Sequence, residues 1–505
     1  MAQDYCNNLS QNYNKIVHLA QDKMFFMNEI IGRYDAKHIL DKALEEKKAS
    51  LVAVFGRRRI GKTYLIKNYM QPYMSLHFSG IHNVTTAIQL EEFTKALCIQ
   101  LNNKIPLSVP ANWFTAFELL QSLLKKKIRS KKIVLFLDEF PWMQTPKSNF
   151  LPAFENFWNM YASTKPNMMV ILCGSAASWM IQNVVRNKGG LHNRITHKIA
   201  LQPFSLYETE IFLKSRNINL NHYQMIQLYM IMGGVPLYLE QVTPGQSTAQ
   251  IIEAACFNKS GFLYNEFNDL YQALFDTAER HVKVIKALAS KPQGLNRNEI
   301  IKTCKLQSGG STTGLLDELN AGGFITAYIP FGKKMKDAIY KLTDEYSLFY
   351  IKFMEPNRLA TKNTWLKLSN TASYKSWSGL AFESLCIKHL QVVEKIIGIH
   401  AIYTQASTWK NTKAGAGAQI DLVIDRRDQT INLCEMKFYE DKFTIDKKYA
   451  ATLRQKATIF KQQTGTRKQL FWILIAPFGV QKNEHSIGLV DTVIQGEQLF
   501  TKIAL

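Results

Sequence analysis

Polar and apolar positions along this chain fall into three regimes. In the first third, short unbroken apolar runs alternate with helical patterns: Leu51 to Phe55, Ile133 to Leu137, and "MMVILCG" ending at Gly174. Continuous apolar runs with helices between them predict parallel strands covered on both faces. From Leu206 to about Phe275 the pattern is helix-rich. From Arg280 it reads helix, turn, helix, turn, helix and then a β-hairpin, punctuated by Gly294, Gly309-Gly310 and Gly322-Gly323. After Pro356 a polar link leads to the amphipathic "SGLAFESLCIKHLQVVEKI". Two alternating runs then flank "RRDQT", and a basic helix precedes the buried-strand pattern "QLFWILIAPFGV". The expected fold class is α/β and multidomain: a parallel-sheet sandwich, a helical lid, a three-helix module with a hairpin, and a C-terminal α/β domain.

Composition narrows the class. A length of 505 residues predicts roughly three domains, and 46% apolar residues suffice for proper cores. The start, "MAQDYCNNLSQNYNK", lacks the basic and then apolar order of a signal peptide. The runs "MMVILCGSAA" and "LFWILIAPFGV" are shorter than the ~20 residues a bilayer needs. Cys6, Cys98, Cys173, Cys256, Cys304, Cys386 and Cys434 form no C-x-x-C pair, which predicts neither a zinc nor a redox framework. A cytoplasmic protein in a reducing compartment, without a membrane partner, is expected. The formal charge of +22 points to nucleic acid as a partner, DNA first; its alternative is a solvated basic surface.

The sharpest motif is "LVAVFGRRRIGKTYLI". Gly56 and Gly61-Lys62-Thr63 make G-x-x-x-x-G-K-T between a short β-rich run and a helical pattern from Tyr64 to Met70. Glycines let backbone N–H groups curl around phosphates, and the helix N-terminus adds its dipole. Lys62 is expected on the β/γ-phosphates of ATP and the Thr63 hydroxyl on Mg²⁺. The run Ile133 to Leu137 ends in Asp138-Glu139, where ligands of an open α/β sheet gather. Asp138 is expected to hold Mg²⁺ and Glu139 to orient the attacking water; the alternative is two carboxylates capping the next helix. Ser175 reads either as a γ-phosphate sensor or as a helix N-cap. Arg194 reads as a phosphate or subunit contact, or as a surface arginine.

Near the C-terminus, "AQIDLVIDRRDQTINLCEMKFYE" predicts a hairpin. A turn centred on Asp428 sets Asp421 opposite Glu435 and Gln419 opposite Lys437, with all four side chains on one face. Like charges opposite each other destabilise a hairpin, and a divalent cation between Asp421 and Glu435, Mg²⁺ or Mn²⁺, reverses that penalty. Lys437 is then placed to hold the attacking water or the developing phosphorane charge. The alternative is a Lys437–Glu435 surface pair. In the following helix, Lys447, Lys448, Arg454 and Lys456 read as a phosphate-tracking row or as a solvated face. The middle module reads as a winged helix, with Ser311 to Asn320 as recognition helix and Lys333, Lys334 and Lys336 at the wing tip. Its face of Ser311, Thr312, Thr313, Asp317 and Glu318 has no arginine, so a spacer role stands equally beside DNA contact.

"GRRRIGKT", "LDEFPWM", "GSAASWM" and "MGGVPLYL" resemble the archaeal-type P-loop ATPases of the AAA+/STAND group. The resemblance implies that Arg57, Arg58, Arg59 and Ile60 belong to the nucleotide loop together with Tyr64, the arginines binding phosphate or acidic partners. It places Gly32-Arg33 near the adenine and the Gly234-Val235-Pro236 turn, through Pro236, on the nucleotide; a break between two lid helices is the alternative for that turn. The Asp421…Glu435-x-Lys437 pattern, with Glu383 on the preceding helix as an outer ligand, resembles the PD-(D/E)XK, restriction-endonuclease-like superfamily. Expected boundaries are 1–22 for an N-terminal extension, 23–205 for the ATPase core, 206–275 for the lid, 276–356 for the winged helix and 357–505 for the nuclease-like domain. The resulting expectation is an ATP-hydrolysing switch coupled to a Mg²⁺-dependent DNA nuclease, with a homo-oligomer compatible with it. The alternative is a non-cleaving STAND-type regulator that binds ATP and DNA or protein.

Overall fold

The computed structural model describes residues 30–102, 104–125, 132–186, 189–275, 277–359, 363–411 and 417–503. The expected N-terminal extension, 1–22, and Cys6 lie outside the described residues. The chain forms two compact units. One contains Lys62–Cys173, Gly189–Ile199 and the chain up to Ala53; the other contains Val54–Gly61, Gly174–Lys188 and Ala200–Leu505.

The apolar runs of the first third are strands, as their composition requires: β1 (Ser50–Phe55), β2 (Met74–Ser79), β3 (Ile133–Asp138), β4 (Met168–Gly174) and β5 (His197–Ala200). They make one sheet in the order β2-β3-β4-β1-β5, and β3 pairs parallel with both β2 and β4. Every residue of β3 and β4 is buried, the mark of strands covered on both faces. The helices Trp113–Lys125 and Phe150–Met160 supply an aromatic layer in which Trp113 meets Phe150 at 4.8 Å and Phe117 stacks on Phe157 at 5.1 Å. Because β3 is parallel to its neighbours, its carboxyl end delivers Asp138 to a sheet edge where a loop is free to carry chemistry.

The second unit is helical from Leu206 to Gln272. Its helices begin on capping boxes at Ser205/Glu208 and Asn221/Gln224, which satisfy N–H groups that would otherwise lack partners. The middle module runs α2 (Ala278–Ala289), β6 (Leu295–Asn296), α3 (Arg297–Cys304), α4 (Gly310–Ala321), β7 (Ile325–Tyr328) and β8 (Ile339–Leu342). Its antiparallel sheet has the order β6-β8-β7. One expectation fails on α4: Thr312 is fully buried rather than on the exposed face. Its hydroxyl donates to the Gln307 carbonyl at 2.6 Å, so the helix start folds inward there.

After helix α5 (Ala372–Lys388) come β9 (Thr404–Lys410), β10 (Gln419–Arg426), β11 (Thr430–Met436), helix α6 (Lys447–Thr464), β12 (Gln469–Ala476) and β13 (Thr492–Gln495). β9, β10 and β11 are antiparallel neighbours; β12 is parallel to β11 and β13 to β12. A parallel β11–β12 pair needs a crossover, and α6 is that crossover. Cys434 and Met436 face one apolar cluster, which runs from Phe204 to Phe500 through the helices, the middle module and α5. Ile431 and Leu433 face a second cluster shared with Leu453 and Phe460 of α6. The expected boundaries at 275/276 and 356/357 therefore lie within one continuous core.

Candidate functional site

Conformation in the loop after β1 is set by its glycines. Gly56 has φ 144°, and a Cβ there would lie 2.2 Å from the Leu201 carbonyl oxygen. Gly61, at φ 84°, turns the chain into α1 (Lys62–Tyr69). Lys62 is buried at the first helical position and Ile60 is fully buried, whereas Tyr64 is half exposed. The Thr63 hydroxyl donates to Asp138 Oδ2 at 2.8 Å. Asp138 Oδ1 accepts the Glu139 N–H at 3.0 Å. A hydroxyl and a carboxylate in contact are hard oxygen donors of the kind Mg²⁺ takes. Glu139 sits in the left-handed region, φ 43°, at the N-cap of Phe140–Met143, and its side chain makes no capping hydrogen bond. The capping alternative therefore does not describe it. A non-glycine residue held there is uncommon and costs backbone energy.

The remaining expected nucleotide residues scatter. Gly32 and Arg33 are both left-handed, φ 65° and 58°, and lead into the helix Tyr34–Glu45. Ser175 is buried, but the N-cap of the helix Ala177–Met180 is Ala176, without a side-chain cap; the N-cap role is not its own. Ser175 instead lines a cavity of about 340 Å³ with Arg57, Arg58, His281 and Glu318. Pro236 is the first residue of the helix Pro236–Leu239, directly after the left-handed Gly233 and Gly234, so the turn breaks two helices. The Arg194 side chain is exposed.

The three arginines divide between acids and a carbonyl. Arg57 forms an ion pair with Asp344, both side chains almost wholly buried, and Arg59 forms one with the buried Glu266. Arg58 donates to the Ala273 carbonyl at 3.1 Å. Burial opposes the charge on Arg57, but Asp344, then Tyr238, Glu345 and Tyr271, together outweigh it and raise its pKa above the ordinary value. Of the two expected partner types, the Arg57 and Arg59 side chains here engage acidic residues of the chain itself.

At the C-terminal hairpin the register runs Leu422↔Cys434, Val423↔Leu433, Ile424↔Asn432 and Asp425↔Ile431. These pairs agree with a turn centred on Asp428; Asp421 and Glu435 lie one step beyond the last of them. Strict alternation does not extend that far along β10. A bulge falls between Ile420 and Val423, and these two residues, three apart, share one core. The common face expected for Gln419, Asp421, Glu435 and Lys437 is thus interrupted on β10, because an extra residue shifts the pleat. Asp421 Oδ2 accepts the Met436 N–H at 3.1 Å.

Glu435 is buried and heavily engaged. Lys456 Nζ lies 2.6 Å from Oε1, and Tyr449 Oη (3.1 Å) and Lys437 Nζ (3.4 Å) meet Oε2. Glu383, on α5, completes the group. Burial, then the charge of Asp421, pushes the Glu383 carboxyl up to about 8. Burial, then Glu435, pushes Asp421 up to about 6. Among the described residues no three His, Cys, Asp or Glu side chains are grouped to hold a metal ion. Lys456 and Lys437 offset the charge of Glu435.

Three members, Lys341, Lys456 and Tyr449, were not assigned to this cluster from sequence. Lys341, on β8, is half-buried within the fields of Glu383 and Asp421; burial lowers its pKa and those carboxylates oppose the shift. Nothing local marks it, since the module that carries it is separate in sequence. Lys456, assigned to a phosphate-tracking row, turns inward to Glu435. Tyr449, Leu453, Lys456 and Phe460 recur at helical spacing on the core side of α6, a signal that periodicity contains. Lys447, Lys448 and Arg454 are exposed, as are Lys333, Lys334 and Lys336.

Residues 33–242 match the model of a family described as an ATPase domain predominantly from Archaea. An uncharacterized protein of Methanocaldococcus jannaschii is 22% identical over 433 residues, 85% of this chain and 92% of that protein. A second protein of that organism, described as ATP-binding, is 35% identical over 48 residues, 10% of this chain and 81% of its own. The Walker-type ATPase of Pyrococcus abyssi aligns at 16% identity over 64% of this chain and 96% of its own, with a TM-score of 0.46. Among the described residues no helix is long and apolar enough to cross a membrane. Residues 33–242 are an ATPase-type domain of the archaeal kind.

Proposed function

We propose that this chain is an ATP-hydrolysing switch whose C-terminal domain is a PD-(D/E)XK-type, metal-dependent DNA nuclease. The observation that carries the ATPase half is the Thr63–Asp138 hydrogen bond, which holds together the two side chains that would take Mg²⁺. That ion, when bound, supplies charge to the phosphates. Lys62 binds the β/γ-phosphates, and Glu139, beside Asp138, orients the attacking water. Glu139→Gln is expected to retain nucleotide and lose turnover on the order of 100-fold; phosphate release that stays within two-fold of wild type sinks this assignment.

The nuclease half rests on Asp421, whose Oδ2 accepts the N–H of Met436 next to Glu435, with Lys437 3.4 Å from Glu435. Asp421 and Glu435 would hold Mg²⁺ or Mn²⁺, with Glu383 behind them; the ion would polarise a phosphodiester. Lys437 orients the water, and the middle module, a winged helix in this reading, offers exposed Lys333, Lys334 and Lys336 to the backbone. Plasmid and single-stranded substrates incubated with Mg²⁺ or Mn²⁺ test it. Equal products from wild type and from a Glu435→Ala, Lys437→Ala variant refute cleavage by this site.

A second reading, a non-cleaving regulator of the STAND type, draws on one specific observation. Lys456, Tyr449 and Lys437 already occupy both oxygens of Glu435. ATP turnover without metal-dependent cleavage selects this reading.

A further inference from the structure

Two adjacent acids, Asp344 and Glu345, each hold a basic residue from a different part of the chain. Asp344 pairs with Arg57 of the nucleotide loop, 287 positions earlier. Its other oxygen, Oδ2, accepts the Ser347 N–H at 2.9 Å and so caps the helix Glu345–Phe349. The Asp344 N–H donates to the Phe324 carbonyl at 3.1 Å, and the Arg57 guanidinium lies 5.2 Å from the Phe324 ring centroid. Glu345, 4% exposed, accepts from Lys388 Nζ at 2.6 Å. Lys388 is the last residue of α5, five positions after Glu383. Gly233 accommodates this carboxylate: a Cβ there would lie 2.6 Å from Glu345 Oε2. Three residues before Asp344, Lys341 stands within the fields of Glu383 and Asp421.

We infer that Asp344 and Glu345 are positioning residues that couple the nucleotide loop to the C-terminal carboxylate cluster. The physical reason is stiffness. Adjacent residues are 3.8 Å apart across a trans peptide, both carboxylates are buried, and no flexible segment separates the two grips. Any displacement of Arg57, five positions before Lys62, must either break its pair or move Asp344 and, with it, Glu345. Moving Glu345 pulls Lys388 and the end of the helix that carries Glu383. Breaking a pair would leave a buried charge without its partner, so movement together is the favoured response. Coupling of this kind is reciprocal: what the nucleotide does to the carboxylate cluster, occupancy of the cluster does to nucleotide affinity.

This inference rests on the nucleotide site proposed above but does not need the C-terminal site to cleave anything. Its test uses the full chain and amide hydrogen exchange with and without a non-hydrolysable ATP analogue. In wild type, the analogue is expected to change exchange in residues 379–388 and 434–437 by about five-fold or more. Glu345→Gln and Lys388→Met should each abolish that remote change while analogue affinity stays within about three-fold, and Lys388→Arg should restore it. Persistence of the remote change in both disrupting variants overturns the relay, as does its absence in wild type saturated with the analogue. A DNA-cleavage assay on the same preparations separates the two ideas. Remote exchange without cleavage retains the relay and removes the nuclease, whereas cleavage with no remote change does the reverse.

Discussion

Thr63 Oγ1 and Asp138 Oδ2, 75 positions apart in sequence, are 2.8 Å apart in the fold. The first lies in the opening turn of the helix after the glycine loop and the second ends strand β3, so the fold of the sheet and its helix brings them together. Removing the hydroxyl leaves Asp138 buried without this donor. Thr63→Ala is expected to reduce ATP turnover on the order of 100-fold, with Thr63→Ser recovering most of it. Steady-state phosphate release measured across Mg²⁺ concentrations checks this, and an unchanged Mg²⁺ dependence in the alanine variant argues against the assignment.

The Arg57–Asp344 pair predicts a stability pattern. Asp344→Ala strands a buried guanidinium and removes a helix cap, at a cost of about 3–5 kcal/mol. The double change Arg57→Met, Asp344→Ala removes both charges and should recover much of that loss. Urea unfolding of the four members of this cycle measures the coupling. Additive losses would mean that the pair contributes nothing as a pair.

Lys456 contacts Glu435 from the core side of α6. Lys456→Met leaves that buried carboxylate with only Lys437 and Tyr449, and should destabilise the second unit by roughly 3 kcal/mol. Lys447→Met, on the exposed face, should change stability by less than about 0.5 kcal/mol. Thermal unfolding followed at the C-terminal sheet distinguishes them, and equal effects would remove the argument for an inward Lys456.

Carboxyls raised by burial give a signed pH dependence. Glu383 at about 8 and Asp421 at about 6 bind protons in the folded state that the unfolded chain has already released. Stability therefore falls as pH rises from about 4, the ordinary carboxyl range, through those two values. The loss is complete above the higher one. Glu383→Gln should flatten the upper part of that curve, between about pH 6 and 8. Denaturant midpoints taken every half pH unit test this, and a slope identical in wild type and variant refutes it.

Much of the glycine loop was legible because its determinants are local. Gly56 and Gly61 lie in one short loop where both take positive φ, which favours glycine, and Asp138 ends an unbroken apolar run. The hairpin register was also legible, since a turn centred on Asp428 sets the sum of opposed positions. What the pattern of residues did not reveal was the bulge in β10, which breaks the alternation on which a shared face was read. Thr312 likewise turned inward for a backbone partner, Gln307, that periodicity does not display.

By itself the sequence determined the elements, the loop that would cradle phosphate, and the hairpin register, because each follows from propensity, period and turn chemistry over a few residues. Tertiary structure alone decided which basic residues meet which acids. Arg57 reaches Asp344 across 287 positions, Lys456 turns to Glu435, and Lys341 enters the fields of Glu383 and Asp421. A buried charge takes as partner whichever opposite charge the packed core brings within reach, and separation along the chain has no part in that choice.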